Sequence, residues 1–596
     1  MSLSKKWRLP LLVMLALAAM LAFSACSDDD DDDGGDGDGQ ETEAPASGER
    51  QQGGTMTVQS NDVESMDPHY SAFVQDISLH RMIWRGLYSM DIDNQPQPAM
   101  ADGEPQVSED GTVYTVAIKE DANWSDGNPV VAEDFVKAFK RTCNPNNAGQ
   151  YQYLLDASIP GCHEFFYAGP GADETVGTED DELPDAAAQQ ALEDAIPVRA
   201  VDDKTVEITL AQPQVTWPII MSLWLTFPVP SHLERFANET ASEPAEWGTD
   251  PSALVYNGPY ILQEYTTQDR AVLVPNPEWT EEMSAVGAAP VVDELIVRFI
   301  DNKATADDAF RNDELDEADA DNTVLPQLEQ EFGDEYFLAP QPGTRGLQVN
   351  LTRPPLDNED VRVAISKAID RETLNEVALG GAFVPTTTWL PEALGGEAPD
   401  FFDDQVGYDP EGAQELLANA GFPNGEGFPT FAILVRDSPD RLAQAEFLQR
   451  NFKEILNIDT TIEVVDSSTR SSRLNNFEYD LAPASGWTMD YPDPENFILG
   501  LFQTNASQNQ NGCSNPEIDR LTEEAQFNTN NDERYEQYKQ INEIISTTIC
   551  GYAVYYHEAG VWLISDRIVG LKENSSSQNA AIAGDWAAEA WGLRAE

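Results

Sequence analysis

Residues 486–497 read GWTMDYPDPENF and set one carboxylate, Asp490, among Trp487, Met489 and Tyr491, with Pro492 and Pro494 behind it. Acidic residues are common in this chain, so an Asp as such carries no information. A carboxylate walled by aromatic rings and prolines is different. It is costly to desolvate unless a cation or several hydrogen-bond donors meet it. The chemistry implied is charge recognition, with Asp490 receiving a positive group. The competing reading is local: an Asp capping its own turn through Tyr491 or Asp493.

Other chemistries find little support. The chain has no G-x-S-x-G elbow, no phosphate loop and no H-E-x-x-H. His69, His80, His163, His232 and His557 are scattered without metal-ligand spacing, so neither a metal nor a cofactor is expected. The GGDGDG run at 34–39 neither follows a strand nor opens a helix, so it is no nucleotide fingerprint. With 106 acids a glycosidase-like carboxylate pair could be drawn almost anywhere and has no specificity. An exported hydrolase is therefore the most distant alternative. Three further segments gather aromatic and turn residues: ESMDPHY (64–70), NWSDGNPVVAEDFV (123–136) and YNGPYIL (256–262). Such segments suit small-ligand pockets, and they equally suit the edges of a core.

The elements that must position these residues are mixed. TMTVQS (55–60), TVYTVAIKE (112–120) and TVEITLAQP (205–213) alternate like strands. ELIVRFI (294–300) reads as a strand buried on both faces. Helical spacing appears at 132–142, where Phe135, Val136 and Phe139 share a face, and at 360–374 and 412–421. TFAILV and DTTIEVV flank a helical stretch at 443–456, a strand–helix–strand unit. Interleaved elements of both kinds make this an α/β protein.

At 596 residues the chain needs two or three domains. It carries 34 basic against 106 acidic residues, a net charge of −72. Such a field repels phosphate backbones, so no nucleic-acid partner is expected; solubility, in a salty medium that screens self-repulsion, is the plainer meaning. Lys5, Lys6 and Arg8 precede an apolar run at 9–23, the form of a signal peptide. Ser24 and Ala25 then lead into Cys26, which resembles a bacterial lipoprotein processing site and would make Cys26 the lipid anchor; the other reading is ordinary secretion with Cys26 a bystander. Residues 27–53 are acidic and nearly devoid of apolar side chains, a tether that spans about 30 Å as a flexible coil. Four other cysteines, Cys143, Cys162, Cys513 and Cys550, fit disulfides in an oxidising compartment. Nearest-neighbour pairing joins Cys143 to Cys162 and Cys513 to Cys550, with other connectivities open.

Taken together and in order, SMDPHY (65–70), WSDGNPVVAEDFV (124–136), NGPY (257–260), NPEW (276–279) and VRVAISKAIDRE (361–372) resemble the extracytoplasmic solute-binding proteins of peptide-importing ABC transporters, the oligopeptide- and dipeptide-binding group. The resemblance implies a two-lobed, periplasmic-binding-protein-like clamp with an extra domain inserted in the first lobe. On that plan 1–25 is the signal peptide and 26–53 the tether. Lobe I takes 54–95, 201–340 and 556–596, the inserted domain 96–200, and lobe II 341–555. It implies a monomeric receptor, not an enzyme, held at the extracytoplasmic face of the bacterial membrane by its lipid, which delivers short peptides to ABC permease subunits. The superfamily also carries sugars, nickel chelates and other solutes, so the same clamp with another cargo is the nearer alternative.

The family motif G-W-x-x-D places Asp490 on the peptide's α-ammonium, and Gly486, Trp487 and Thr488 along its backbone. Val74 matches the opposing strand edge. Tyr151, or Tyr153 in its place, matches a pocket tyrosine. Trp487 walls a side-chain pocket or packs lobe against lobe. Two departures stand out. The family disulfide inside this motif is replaced by Thr488, with Gly343 at its partner position. Asn475 and Ala484 fall where a carboxylate-binding Arg would be expected. Arg441 lies near a basic position and serves that role, or is a solvated residue at a helix start.

Overall fold

The computed structural model describes residues 49–169, 182–248, 250–573 and 581–595. The apolar leader, Cys26 and the acidic run of the tether lie outside the described residues. One large mixed sheet organises the body. In chain order its strands are β1 (Thr55–Ser60), β2 (Tyr260–Thr266), β3 (Arg270–Pro275), β4 (Glu294–Phe299), β5 (Glu317–Asp319), β6 (Tyr336–Val349), β7 (Phe431–Arg436), β8 (Thr460–Val465), β9 (Leu481–Thr488) and β10 (Tyr552–Ile564). Across the sheet they run β8-β7-β9-β6-β10-β5-β1-β4-β3-β2. A short strand, Val384–Pro385, pairs with β10 beside this path.

The two long strands, β6 and β10, tie the halves together. The carboxyl end of β10 pairs with β5, and its Val561 and Leu563 join a core with Phe310 and Leu328. The amino end of β10 puts Ala553, Tyr555 and Tyr556 into a separate core with Val361, Ile433 and Phe447. A further core, around Trp84, Trp124, Trp217 and Trp224, fills the first half; another, around Trp389, Phe502 and Tyr552, fills the second. The β6–β10 register shifts between Pro340 and Thr344, where the strands pass from one half to the other. This is the two-lobed clamp, with two strands crossing between its halves.

Four helices matter for the site: α1 (Val74–Ile83), α2 (Ala132–Thr142), α3 (Pro439–Asn451) and α4 (Ser467–Asn475). α2 buries Phe135, Val136 and Phe139 as its spacing predicts. Asp134 explains the Trp-Ser-Asp-Gly segment before it: one carboxylate oxygen accepts from the Val131 amide at 3.0 Å and from Trp124 Nε1 at 2.9 Å. That segment is a latch on the helix N-terminus, with Trp124 fully buried. A four-stranded sheet lies beside it, built from Gln106–Val107, Val113–Ala117, Thr205–Thr209 and Val198–Asp202.

Two expectations change. β4 buries Leu295, Val297 and Phe299 but leaves Ile296 and Arg298 half-exposed, so it is buried on one face and not both. The single helix expected at 360–374 is two, Glu359–Lys367 and Arg371–Ala378, because Asp370 caps the second by accepting from the Thr373 amide at 3.0 Å. The cysteines form the nearest-neighbour pairs, Cys143–Cys162 and Cys513–Cys550.

Candidate ligand-binding cleft

β9 pairs with β6 along its length but with β7 only at Leu481. From Pro483 onward no strand among the described residues pairs with its second edge. A cavity of about 640 Å³ lies along that edge. Gly486, Trp487, Thr488, Asp490 and Arg441 line it from the second half, Val74 and Tyr151 from the first. All seven residues that the sequence offers as ligand contacts therefore meet in one place.

The strand is shaped for this. Ala484 has φ +53°, a left-handed conformation rare outside glycine. Its amide donates to the Tyr555 hydroxyl and its carbonyl accepts from Arg441 Nη1 at 2.9 Å. Two residues on, a Cβ at Gly486 would run into the Thr344 carbonyl oxygen, so glycine is what lets β9 approach β6.

Asp490 is 3% exposed. Its Oδ2 accepts from the Tyr151 hydroxyl at 3.2 Å and from Asn496 Nδ2 at 3.2 Å, and its amide donates to Asn496 Oδ1 at 2.8 Å. Trp487 Nε1 donates to the same Asn496 oxygen at 3.2 Å, so one amide side chain aligns both. The local turn is capped by Asp493, which accepts from the Glu495 amide at 2.9 Å and pairs with Arg534. Tyr151 stands 6.1 Å from the Trp487 ring and 4.7 Å from Trp224. Burial, then the Asp490 charge, pushes its hydroxyl well above the usual tyrosine range, so it stays a donor. Of the two candidate tyrosines Tyr151 lines the cavity, while Tyr153 packs over Gly500. Val74 departs from expectation: it opens α1 and sits on no strand edge. The extended residue is Phe73, at φ −99° and ψ 136°.

Gly343 and Thr488 face each other in the β6–β9 register. No disulfide can form between them, and polar contacts hold this place instead. Arg345 Nη2 donates to Thr488 Oγ1 at 2.6 Å and its Nε pairs with Glu558 at 2.8 Å, while Thr488 Oγ1 donates to Glu558 Oε2 at 2.9 Å. This knits β6, β9 and β10 at the cleft floor.

Arg441 is no solvated helix start. It is mostly buried in the first turn of α3, with Nε 3.2 Å from Asp440. Two neighbours were not singled out from sequence: Arg436 at the carboxyl end of β7, and Arg470 in the first turn of α4. With Pro483 and Ala484 the three arginines line a side chamber of about 90 Å³. Arg470 Nη2 donates to Ser485 Oγ at 2.6 Å. Burial, then the Arg441 and Arg436 charges, pushes Arg470 down to about 10. The signal that could have found both is positional: Arg436 ends one parallel strand and Arg470 follows another, at the carboxyl ends where open α/β sheets bind ligands. Among the described residues no group of three or more His, Cys, Asp or Glu side chains could hold a metal, and no helix is long and apolar enough to cross a membrane.

The cleft can be set beside known proteins. The model of the family described as bacterial extracellular solute-binding proteins, family 5 Middle, matches residues 95–509. The periplasmic oligopeptide-binding protein OppA of Escherichia coli is 26% identical over 507 residues, covering 83% of this chain and 86% of that protein. A probable deoxycholate-binding periplasmic protein of the same organism, YgiS, is 26% identical over 478 residues, covering 80% and 82%. The crystal structure of a periplasmic oligopeptide-binding protein from Borrelia burgdorferi superposes with a TM-score of 0.73 at 26% identity, covering 86% of this chain and 96% of that one.

Proposed function

The chain belongs to the family 5 bacterial extracellular solute-binding proteins, and from that premise we propose that its solute is a short peptide, enclosed between the two lobes and handed to an ABC importer. In this reading Asp490 accepts the peptide's α-ammonium, aided by the Tyr151 hydroxyl. The open edge of β9, from Gly486 to Thr488, pairs with the peptide backbone, and the segment before α1 at Phe73 and Val74 faces it from the other lobe. Trp487 and Tyr151 wall a side-chain pocket, and Arg441 lies at the carboxylate end. Backbone pairing is indifferent to side chains, which suits a receptor for many sequences. Closure is a hinge motion of β6 and β10, stabilised by ligand contacts to both lobes.

The observation that carries this reading is the convergence of those residues on one cavity, with a buried carboxylate at one part and guanidinium groups at another. The remaining parts follow the same family logic. The leader, the acidic tether and acylation of Cys26, which would hold a monomer at the outer face of the membrane, belong to this reading. So do the lobe boundaries and the inserted domain at 96–200, except that the tether ends before Arg50–Gln51, which pairs with Gly592–Arg594, and the inserted sheet runs on past 200 to Thr209. The receptor binds without chemistry, so a bound peptide is recovered intact. The deoxycholate-binding relative favours a second reading, a non-peptide anionic solute in the same clamp. Mass spectrometry of what the purified protein releases on denaturation separates the two: peptides are expected, and a sterol-like or sugar ligand contradicts the reading.

A further inference from the structure

Three guanidinium groups meet at the side chamber, in a protein whose acids outnumber its bases 106 to 34. One of the three is balanced: Arg441 pairs with Asp440. The others have no carboxylate in contact among the described residues. Arg470 is held by neutral groups, Ser485 Oγ at 2.6 Å and the Pro483 carbonyl at 3.4 Å. The Arg436 guanidinium makes no hydrogen bond or ion pair with any described residue; only its backbone is bonded, its carbonyl accepting from the Ser438 amide at 2.9 Å. The acids nearby are committed or solvated: Asp319 pairs with Lys303 at 2.8 Å, Glu558 with Arg345, and Asp437 is exposed. Two positive charges are thus left on one small, largely buried wall.

Local structure adds to them. β7 and β8 are parallel and end side by side, Arg436 opposite Val465. α3 and α4 then begin beside the same chamber, so two helix N-termini reinforce the positive potential. Clustered like charges are costly in a buried site unless an anion is present to compensate. Burial lowers the Arg436 pKa and the Arg441 charge lowers it further, while Asp440 and Asp319 oppose this from beyond ion-pair distance.

We propose that this chamber receives a second anionic group from the ligand, beyond a terminal carboxylate, so that the preferred cargo is a peptide whose last residue is acidic. This rests on the peptide reading above. In it the α-carboxylate and the Asp or Glu side-chain carboxylate of the terminal residue share Arg436, Arg441 and Arg470, and Asp440 keeps Arg441 oriented. A chamber of about 90 Å³ suits one carboxylate-bearing side chain and no bulky group.

The test is titration calorimetry on the full chain with alanine peptides of three, four and five residues. Each length is made ending in Glu, ending in Gln, and ending in Glu with its α-carboxylate amidated. The Glu free acid binds about tenfold more tightly than either peptide with a single carboxylate. In Arg436→Gln that gap shrinks to about threefold or less. Equal affinity for the Glu and Gln peptides, or a gap that survives in Arg436→Gln, overturns the inference while leaving the peptide reading intact. Failure of every free-amine peptide to bind sinks the peptide reading and this inference with it. If Arg436→Gln does not fold, the Glu–Gln comparison on the unaltered protein decides alone.

Discussion

The Tyr151 hydroxyl donates to Asp490 at 3.2 Å across 339 residues of chain, joining a loop of the first lobe to the end of β9 in the second. Tyr151 thus serves two purposes: it donates a hydrogen bond to a buried carboxylate, and it contacts both halves of the clamp. Tyr151→Phe keeps the ring and removes the donor. Peptide affinity then falls by about 1 kcal/mol, roughly fivefold, by titration calorimetry. An unchanged affinity would show that this hydroxyl is not part of recognition.

The Cys143–Cys162 disulfide spans 19 residues, and Tyr151 lies inside that loop. Cys513–Cys550 spans 37 residues and staples the core around Trp389 and Phe502. Replacing both members of either pair by Ala costs about 3 kcal/mol of stability in urea unfolding. Only the Cys143→Ala/Cys162→Ala variant also weakens peptide binding at temperatures where both variants stay folded. Equal binding losses would mean that the loop does not position Tyr151.

His557 sits on β10 beside the hinge, in register with Thr344, and its Nε2 lies 3.1 Å from the Thr388 carbonyl oxygen. Burial pushes its pKa down to about 4 from the ordinary 6.5. A group that protonates more easily when unfolded gives stability that is whole above pH 6.5 and drains away as pH falls toward 4. His557→Gln lacks this titration. Between pH 7 and 4 the unaltered protein should lose about 3 kcal/mol more than the variant. Parallel pH profiles for the two would contradict the assignment.

Much of the site was legible because its chemistry is local in sequence. Residues 486–490 place Gly486, Trp487, Thr488 and Asp490 on one strand and its exit, and that strand lines the cleft. α2 runs over the residues its spacing marks out, since Phe135, Val136 and Phe139 need one buried face. The failures have physical causes. Asp370 can cap as well as continue a helix, and capping won. Val74 starts a helix straight after the extended Phe73, with no side-chain cap to mark the start in the sequence. Arg436 and Arg470 are single residues ending or following a strand. Their meaning appears only once β7 and β8 lie side by side. The aromatic segments at 123–136 and 256–262 went mostly to the core, with Trp124 and Tyr260 fully buried and Asn257 bonded to the Arg85 backbone.

Charge recognition at Asp490 is the claim on which the rest depends. Titration calorimetry of one short peptide, with its amino terminus free and then acetylated, tests it most directly when run on the unaltered protein and on Asp490→Asn. The account predicts that acetylation weakens binding by about 100-fold, and that Asp490→Asn loses the free-amine peptide by a similar factor while folding normally. Equal affinity for the free and acetylated peptides, or full affinity in Asp490→Asn, would contradict it.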